Sequence, residues 1–128
     1  MNIFYEPVNL KQWPMFDVVK SIGHEEPFLA TKSMNIGDIV LLHVGQQDKR
    51  YHSGVYAVGK VISPPAIIED RPDDYCNHKL SVWVKIEKIN YSEPYITHAE
   101  CTEIINQFRT VHKIDEKHYP VIQKLLER

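Results

Sequence analysis

Apolar and polar positions in this chain alternate in short runs, the signature of strands more than of long amphipathic helices. Residues 39–44 read Ile-Val-Leu-Leu-His-Val, an almost unbroken apolar run that follows the turn signal Gly37-Asp38. Residues 46–53 are too polar to be buried, and from Gly54 the strand pattern resumes until Pro64-Pro65 ends it. The pattern predicts a buried strand over 38–44, a polar hairpin loop, and a second strand over 55–63. Residues 80–89 alternate strictly: Leu80, Val82, Val84 and Ile86 share one face, and Ser81, Trp83, Lys85 and Glu87 share the other. This predicts a third long strand, with Trp83 directed away from its apolar face.

The remaining elements are shorter. Residues 3–8 suit an opening strand that ends at or soon after Pro7. Asn9 is placed to cap a helix over 10–20, with Gln12 at the capping-box position and Pro14 either delaying or bending that helix. Residues 23–27 read as a loop, and 28–33 fit either an extended segment or a helical turn. Residues 66–79, with Pro72, Asp73 and Asp74, read as a loop. Thr97 or Thr102 is expected to cap a short helix leading to Phe108, and 109–114 to form a last strand. Asp115 opens a terminal helix with Pro120 near its first turn and Val121, Ile122, Leu125 and Leu126 at helical spacing. The fold class is α+β: a curved sheet of five or six strands with flanking helices.

Composition narrows the classes. The 128 residues show no repeat, low-complexity tract or linker, which predicts one domain over 1–128. No apolar run approaches the roughly 20 residues of a membrane helix. The N-terminus lacks the basic and apolar regions of a secretory signal, and two cysteines, Cys76 and Cys101, make no disulfide framework. A reduced, cytoplasmic setting is expected, with no membrane partner. The net charge of −2 argues against a protein that grips nucleic acid mainly through phosphates. Cys76-Asn77-His78 holds two metal-ligand types, but no second pair follows at zinc spacing, so neither a metal nor a cofactor is expected. There is no Gly-x-Ser-x-Gly, phosphate-binding glycine loop or His-Glu-x-x-His. Glu25-Glu26 and Asp73-Asp74 read as solvated pairs, none of the seven histidines has a partner visible in the sequence, and no catalytic residue is assigned.

In order and spacing, the elements resemble those of an EVE domain, a PUA-like small β-barrel related to the YTH and ASCH domains. Asn9-Leu10-Lys11-Gln12-Trp13 resembles the family's Asn-x-x-x-Trp, and Met34-Asn35-Ile36-Gly37-Asp38 its turn before the strand at 39–44. Gly54-Val55-Tyr56-Ala57 resembles its Gly-Ile-Tyr/Ala-Gly strand. Residues 81–86 resemble its later Val-x-Val strand, and Phe108 onward its closing strand and helix. The chain departs from the pattern where Ile22-Gly23 stands for the family's Trp-Gly, unless Phe28 takes that place. It departs again at Ile36 before Gly37 and at His43, where Tyr is frequent.

The resemblance implies a binding module, not an enzyme, that receives a modified base, such as a methylated one, turned out of DNA or RNA into an aromatic pocket. It nominates Asn9, Trp13, Phe28, His43, Tyr56 and Trp83 for stacking and edge contacts, and the backbone of Leu29, Ala30, Thr31 and Lys32 for reading the base edge. Lys32, Lys49 and Arg50 are the implied phosphate contacts, and a separate effector protein is an implied partner. Packing alternatives stand beside these roles: core for Trp13, Trp83 and Tyr56, a hydrogen-bonded structural imidazole for His43, a solvated loop for the basic residues. Two rival functions stand beside this one. The first is an ASCH-like enzyme acting on RNA or modified nucleosides, with Thr31, Lys32 and Glu25 or Glu87 near the pocket. The second is a barrel that binds proteins.

Overall fold

The computed structural model describes residues 1–70 and 76–128. Among them, eight strands form one curled sheet: β1 (Ile3–Val8), β2 (Glu25–Leu29), β3 (Ile39–Val44), β4 (Gly54–Val61), β5 (Ala66–Ile67), β6 (Leu80–Ile89), β7 (Ile96–Thr97) and β8 (His112–Lys113). The helices are α1 (Met15–Val18), α2 (His98–Cys101) and α3 (Tyr119–Leu126), the last preceded by a 3-10 turn over Glu116–His118. The sheet order is β2-β6-β4-β3-β1-β8, with β5 added to β6 and β7 to β4. β1 runs parallel to β3 and antiparallel to β8.

Strands β1, β3 and β4 present residues to two cores, and β6 to the first of them. Phe4, Val40, Leu42, Val82, Val84 and Ile86 enter one, capped by Met15 and Val19 from the α1 segment. Tyr5, Leu41, Val55 and Val58 enter the other, covered by Cys101, Ile104 and Ile122. At roughly 1.5–3 kcal/mol per large apolar side chain buried, these two faces hold the sheet. β4 breaks the alternation. A bulge opposite Leu42 and His43 lets Tyr56 and Ala57, adjacent in sequence, both enter the first core. At Gly59 a Cβ would overlap Val84 Cγ1, so glycine permits the close approach of β4 to β6.

Several expectations are corrected. The helix over 10–20 shrinks to Met15–Val18. Asn9 caps only a turn: its Oδ1 accepts from the Lys11 N–H at 2.9 Å, and its carbonyl from Gln12 and Trp13 at 3.0 and 2.9 Å. Trp13 precedes Pro14, a position disfavoured in helix, so the helix starts afresh after it. The loop expected at 23–27 is half strand, because β2 pairs with β6 from Glu25 to Leu29. Pro27 is tolerated because β2 ends the main strand path. The five or six strands become eight through two-residue pieces too short to show a period. The loop at 66–79 includes β5, and Pro72, Asp73 and Asp74 lie outside the described residues. The last strand contracts from 109–114 to His112–Lys113.

Thr97 is the cap of α2, in a reciprocal capping box with Glu100. Asp115 caps the 3-10 turn, and Pro120 sits in the first turn of α3.

The curl leaves a seam between β1 and β2, which do not pair as strands. Glu6, 1% exposed, spans it: its carboxyl accepts a bond from the Leu29 backbone N–H. Its Oε2 has no partner among the described residues. Burial pushes the Glu6 carboxyl well above the usual carboxylate range, and the Leu29 bond opposes that only in part.

Candidate functional site

A cavity of about 610 Å³ opens where the seam meets the ends of β1 and β3. The parallel register sets Pro7 beside His43, so Tyr5, Pro7 and His43 share one face and form one wall. Val8, Asn9, Gln12 and Trp13 supply a second wall from the turn after β1, joined by Leu29 at the end of β2. Gly45, Gln46, Gln47 and Ser53 come from the hairpin loop, and His98, Phe108 and Arg109 from the segments after β7. Among the described residues no Asp or Glu lines the cavity, and Arg109 is its one permanently charged group.

One wall is a knot of rings. Tyr5 lies 5.4 Å from His43 and 5.7 Å, edge-on, from Phe108. Phe108 lies 5.0 Å from His43 and 4.9 Å from His98. The Tyr5 hydroxyl donates to the Phe108 carbonyl at 2.7 Å, and the Ser53 hydroxyl to the Val44 carbonyl at 3.0 Å. The same two oxygens stand 3.4 and 3.5 Å from Nδ1 and Nε2 of His43. With both hydroxyl protons committed to carbonyls, each ring nitrogen faces an acceptor, and a neutral imidazole donates to only one of them. Burial first, then the neighbouring His98, lowers the His43 pKa to about 4, so the ring is neutral at pH 7. Burial likewise pushes the Tyr5 phenol up.

Of the residues nominated from sequence, Asn9, Trp13, Leu29 and His43 line the cavity. Phe28 is fully buried behind it, edge-on to Trp13 at 5.1 Å, and is the aromatic that braces Trp13; Ile22, beside Gly23, is 66% exposed. The backbone N–H groups of Leu29 and Ala30 are engaged by Glu6 and by the Leu80 carbonyl. Thr31 bonds Ser33 and lies outside the cavity, as does exposed Lys32. Tyr56 is buried in the first core, its hydroxyl donating to the His52 carbonyl at 2.7 Å. Trp83 is half-buried on β6, its N–H donating to Ser63 Oγ at 2.8 Å, and does not reach the cavity. Lys49 and Arg50 are exposed in the hairpin loop and also lie outside it. The Arg50 guanidinium is forked onto Asp48 at 2.7–3.2 Å.

Sequence reasoning missed Tyr5, Ser53, His98, Phe108 and Arg109. The alternation of β1 foreshadows Tyr5, which faces opposite Phe4 and Val8. Pairing of β7 with Gly54 and Val55 brings His98 beside Ser53, with the His98 N–H on the Ser53 carbonyl at 3.2 Å. No local signal announces that return.

No family model and no curated protein matches the sequence. Solved structures do match along nearly its whole length. A hypothetical protein from Leishmania major superposes with a TM-score of 0.70 at 14% identity, covering 99% of this chain and 95% of that one. Protein PSPTO5229 from Pseudomonas syringae gives 0.68 at 10% identity, covering 97% and 99%. Human THYN1, in a complex with 5-methylcytosine-containing DNA, gives 0.70 at 10% identity, covering 100% and 99%. The chain has the fold of these proteins, an α+β PUA-like fold. In this fold the cavity stands at the open seam of the curl, where rings and side-chain amides meet. Among the described residues, no helix is long and apolar enough to cross a membrane.

Proposed function

We propose that this chain is a single-domain binding module that receives a modified base of a nucleic acid in the cavity beside Trp13. One observation carries the reading: a hollow of about 610 Å³, within the range of ligand sites, offers aromatic and apolar walls with no lining carboxylate among the described residues. A base turned out of its stack loses its neighbours, and an aromatic face returns about 1–3 kcal/mol. Trp13, held edge-on by Phe28, is the stacking surface; Leu29 and Val8 are the apolar wall that a methyl group would meet. The amides of Asn9, Gln12, Gln46 and Gln47 supply the edge contacts. The complex of THYN1 with 5-methylcytosine-containing DNA supports the ligand class. Lys32 and Lys49, outside the cavity, are assigned to flanking phosphates; Arg50 is assigned a lesser part because Asp48 already neutralises it.

Lys32, Glu25 and Glu87 all lie away from the cavity, which supports a binder over a hydrolase. A module without its own chemistry works through a separate effector protein. The test is a binding panel of single- and double-stranded oligonucleotides, with and without 5-methylcytosine, at low and moderate salt, with products assayed in parallel. Preference for the modified strand without turnover is expected. Equal affinity for both strands, or a product, would overturn the proposal.

A further inference from the structure

The cavity has two chemically different ends. At one, Trp13, Leu29 and Val8 form an apolar wall among side-chain amides. At the other, Arg109 and His98 stand beside the ring knot of Tyr5, His43 and Phe108. Among the described residues, no ring contact joins Trp13 to that knot.

Arg109 differs from the other described arginines. Arg50 is forked onto Asp48 and Arg128 onto Glu100, so each charge is met by a carboxylate. Arg109 has no ion pair among the described residues, and no carboxylate lines its cavity. Its backbone is nevertheless fixed. The Gln107 side-chain oxygen accepts from the N–H of Arg109 at 2.7 Å and of Thr110 at 3.0 Å. The preceding Phe108 carbonyl is held by the Tyr5 hydroxyl, and its ring is wedged between two imidazoles. Arg109 is exposed and without an ion pair, on a pinned segment that lines a hollow free of carboxylates, and such a cation is complementary to an anion. Its planar fork suits phosphate oxygens.

We propose that the cavity binds a whole nucleotide, the base at the Trp13 end and that nucleotide's own phosphate at the Arg109–His98 end, so that it takes free nucleoside monophosphates as well as strands. This inference rests on the base-binding reading above. The shared chemistry, a base with its attached phosphate, comes either from a free nucleotide or from a polymer, and the experiment separates them.

Affinities are measured by titration calorimetry for 5-methyl-dCMP, 5-methyldeoxycytidine and a 5-methylcytosine oligonucleotide, with its unmodified twin. The proteins are the wild type, Arg109→Gln and Arg109→Lys. In the wild type the monophosphate binds about tenfold or more tighter than the nucleoside, the scale of a charge-assisted contact. Arg109→Gln narrows that ratio to about twofold, and Arg109→Lys retains part of it, since a point charge attracts phosphate without the fork. A ratio near one in the wild type, or one unchanged in Arg109→Gln, overturns the inference. If the modified oligonucleotide is still preferred over its twin in that case, only the two-ended cavity fails. If the preference is absent as well, the base-binding reading fails with it.

Discussion

The molecule holds two knots of aromatic rings, and they behave as opposites. In one, Phe16 stacks on Tyr51 at 4.1 Å and meets Tyr56 edge-on at 5.1 Å, with Tyr91 at 6.2 Å. The hydroxyls of Tyr56 and Tyr91 donate to the His52 and Val19 carbonyls, both at 2.7 Å. These rings cover one another, none lines the cavity, and Tyr56 is fully buried. In the other knot, Tyr5, His43, His98 and Phe108 line a hollow, and imidazoles replace half of the benzene rings. Ring density alone therefore does not mark a binding site. What distinguishes the cavity knot is a buried imidazole whose hydrogen bonds are incomplete and a neighbouring cation without an ion pair among the described residues.

The largest expected effect lies in the closed knot. Tyr56→Ala removes a fully buried ring and is expected to cost about 3–5 kcal/mol in urea unfolding, while ligand affinity per folded molecule stays unchanged. A collapse of affinity in the folded fraction would erase the distinction between the two knots.

The cavity knot carries a titration on the acid side of neutrality. His43 has a folded pKa of about 4 against an ordinary 6.5, so the unfolded chain takes up the proton first as pH falls. Its contribution is therefore present above about pH 6.5 and is lost as pH falls through 4, to a total of about 3 kcal/mol. Unfolding midpoints of the wild type and His43→Gln between pH 7.5 and 4 test this. The wild type is expected to fall more steeply, and parallel curves would refute it.

The smallest of the three effects separates stacking from packing within the site. Trp13 is half-buried, so Trp13→Ala is expected to weaken modified-base binding by about 1–3 kcal/mol, with a smaller loss of stability than Tyr56→Ala. A stability loss as large as that of Tyr56→Ala, with affinity intact, would move Trp13 into the core.

The strand at 80–89 is legible because it alternates along its length, that at 39–44 because an almost unbroken apolar run follows a Gly-Asp turn, and the cap of α2 narrows in sequence to Thr97 or Thr102, of which the structure uses Thr97. Of the four nominated residues that line the cavity, His43 sits on such an element. Tyr56 was misassigned for a physical reason: the bulge turns two successive residues inward, which a period of two cannot foresee. Trp83 does lean away from the strand's buried face, yet it does not line the cavity. His98, Phe108 and Arg109 are gathered by two-residue strands, β7 and β8, whose pairing is decided by tertiary contacts and leaves no mark on the local pattern.

The Glu6 bridge gives the curl a chemical condition for staying shut. Where a ladder of amides would be indifferent to pH, this joint depends on an acid that keeps its hydrogen: ionised, it would strand a charge in the interior with only the Leu29 amide to meet it. Because the folded pKa is raised, that support is whole in acid and fades as pH climbs through it. A rise in pH is thus expected to open the curl at the mouth of its own hollow first, with faster hydrogen exchange at the Leu29 amide than along β4 and β6 as the reporter.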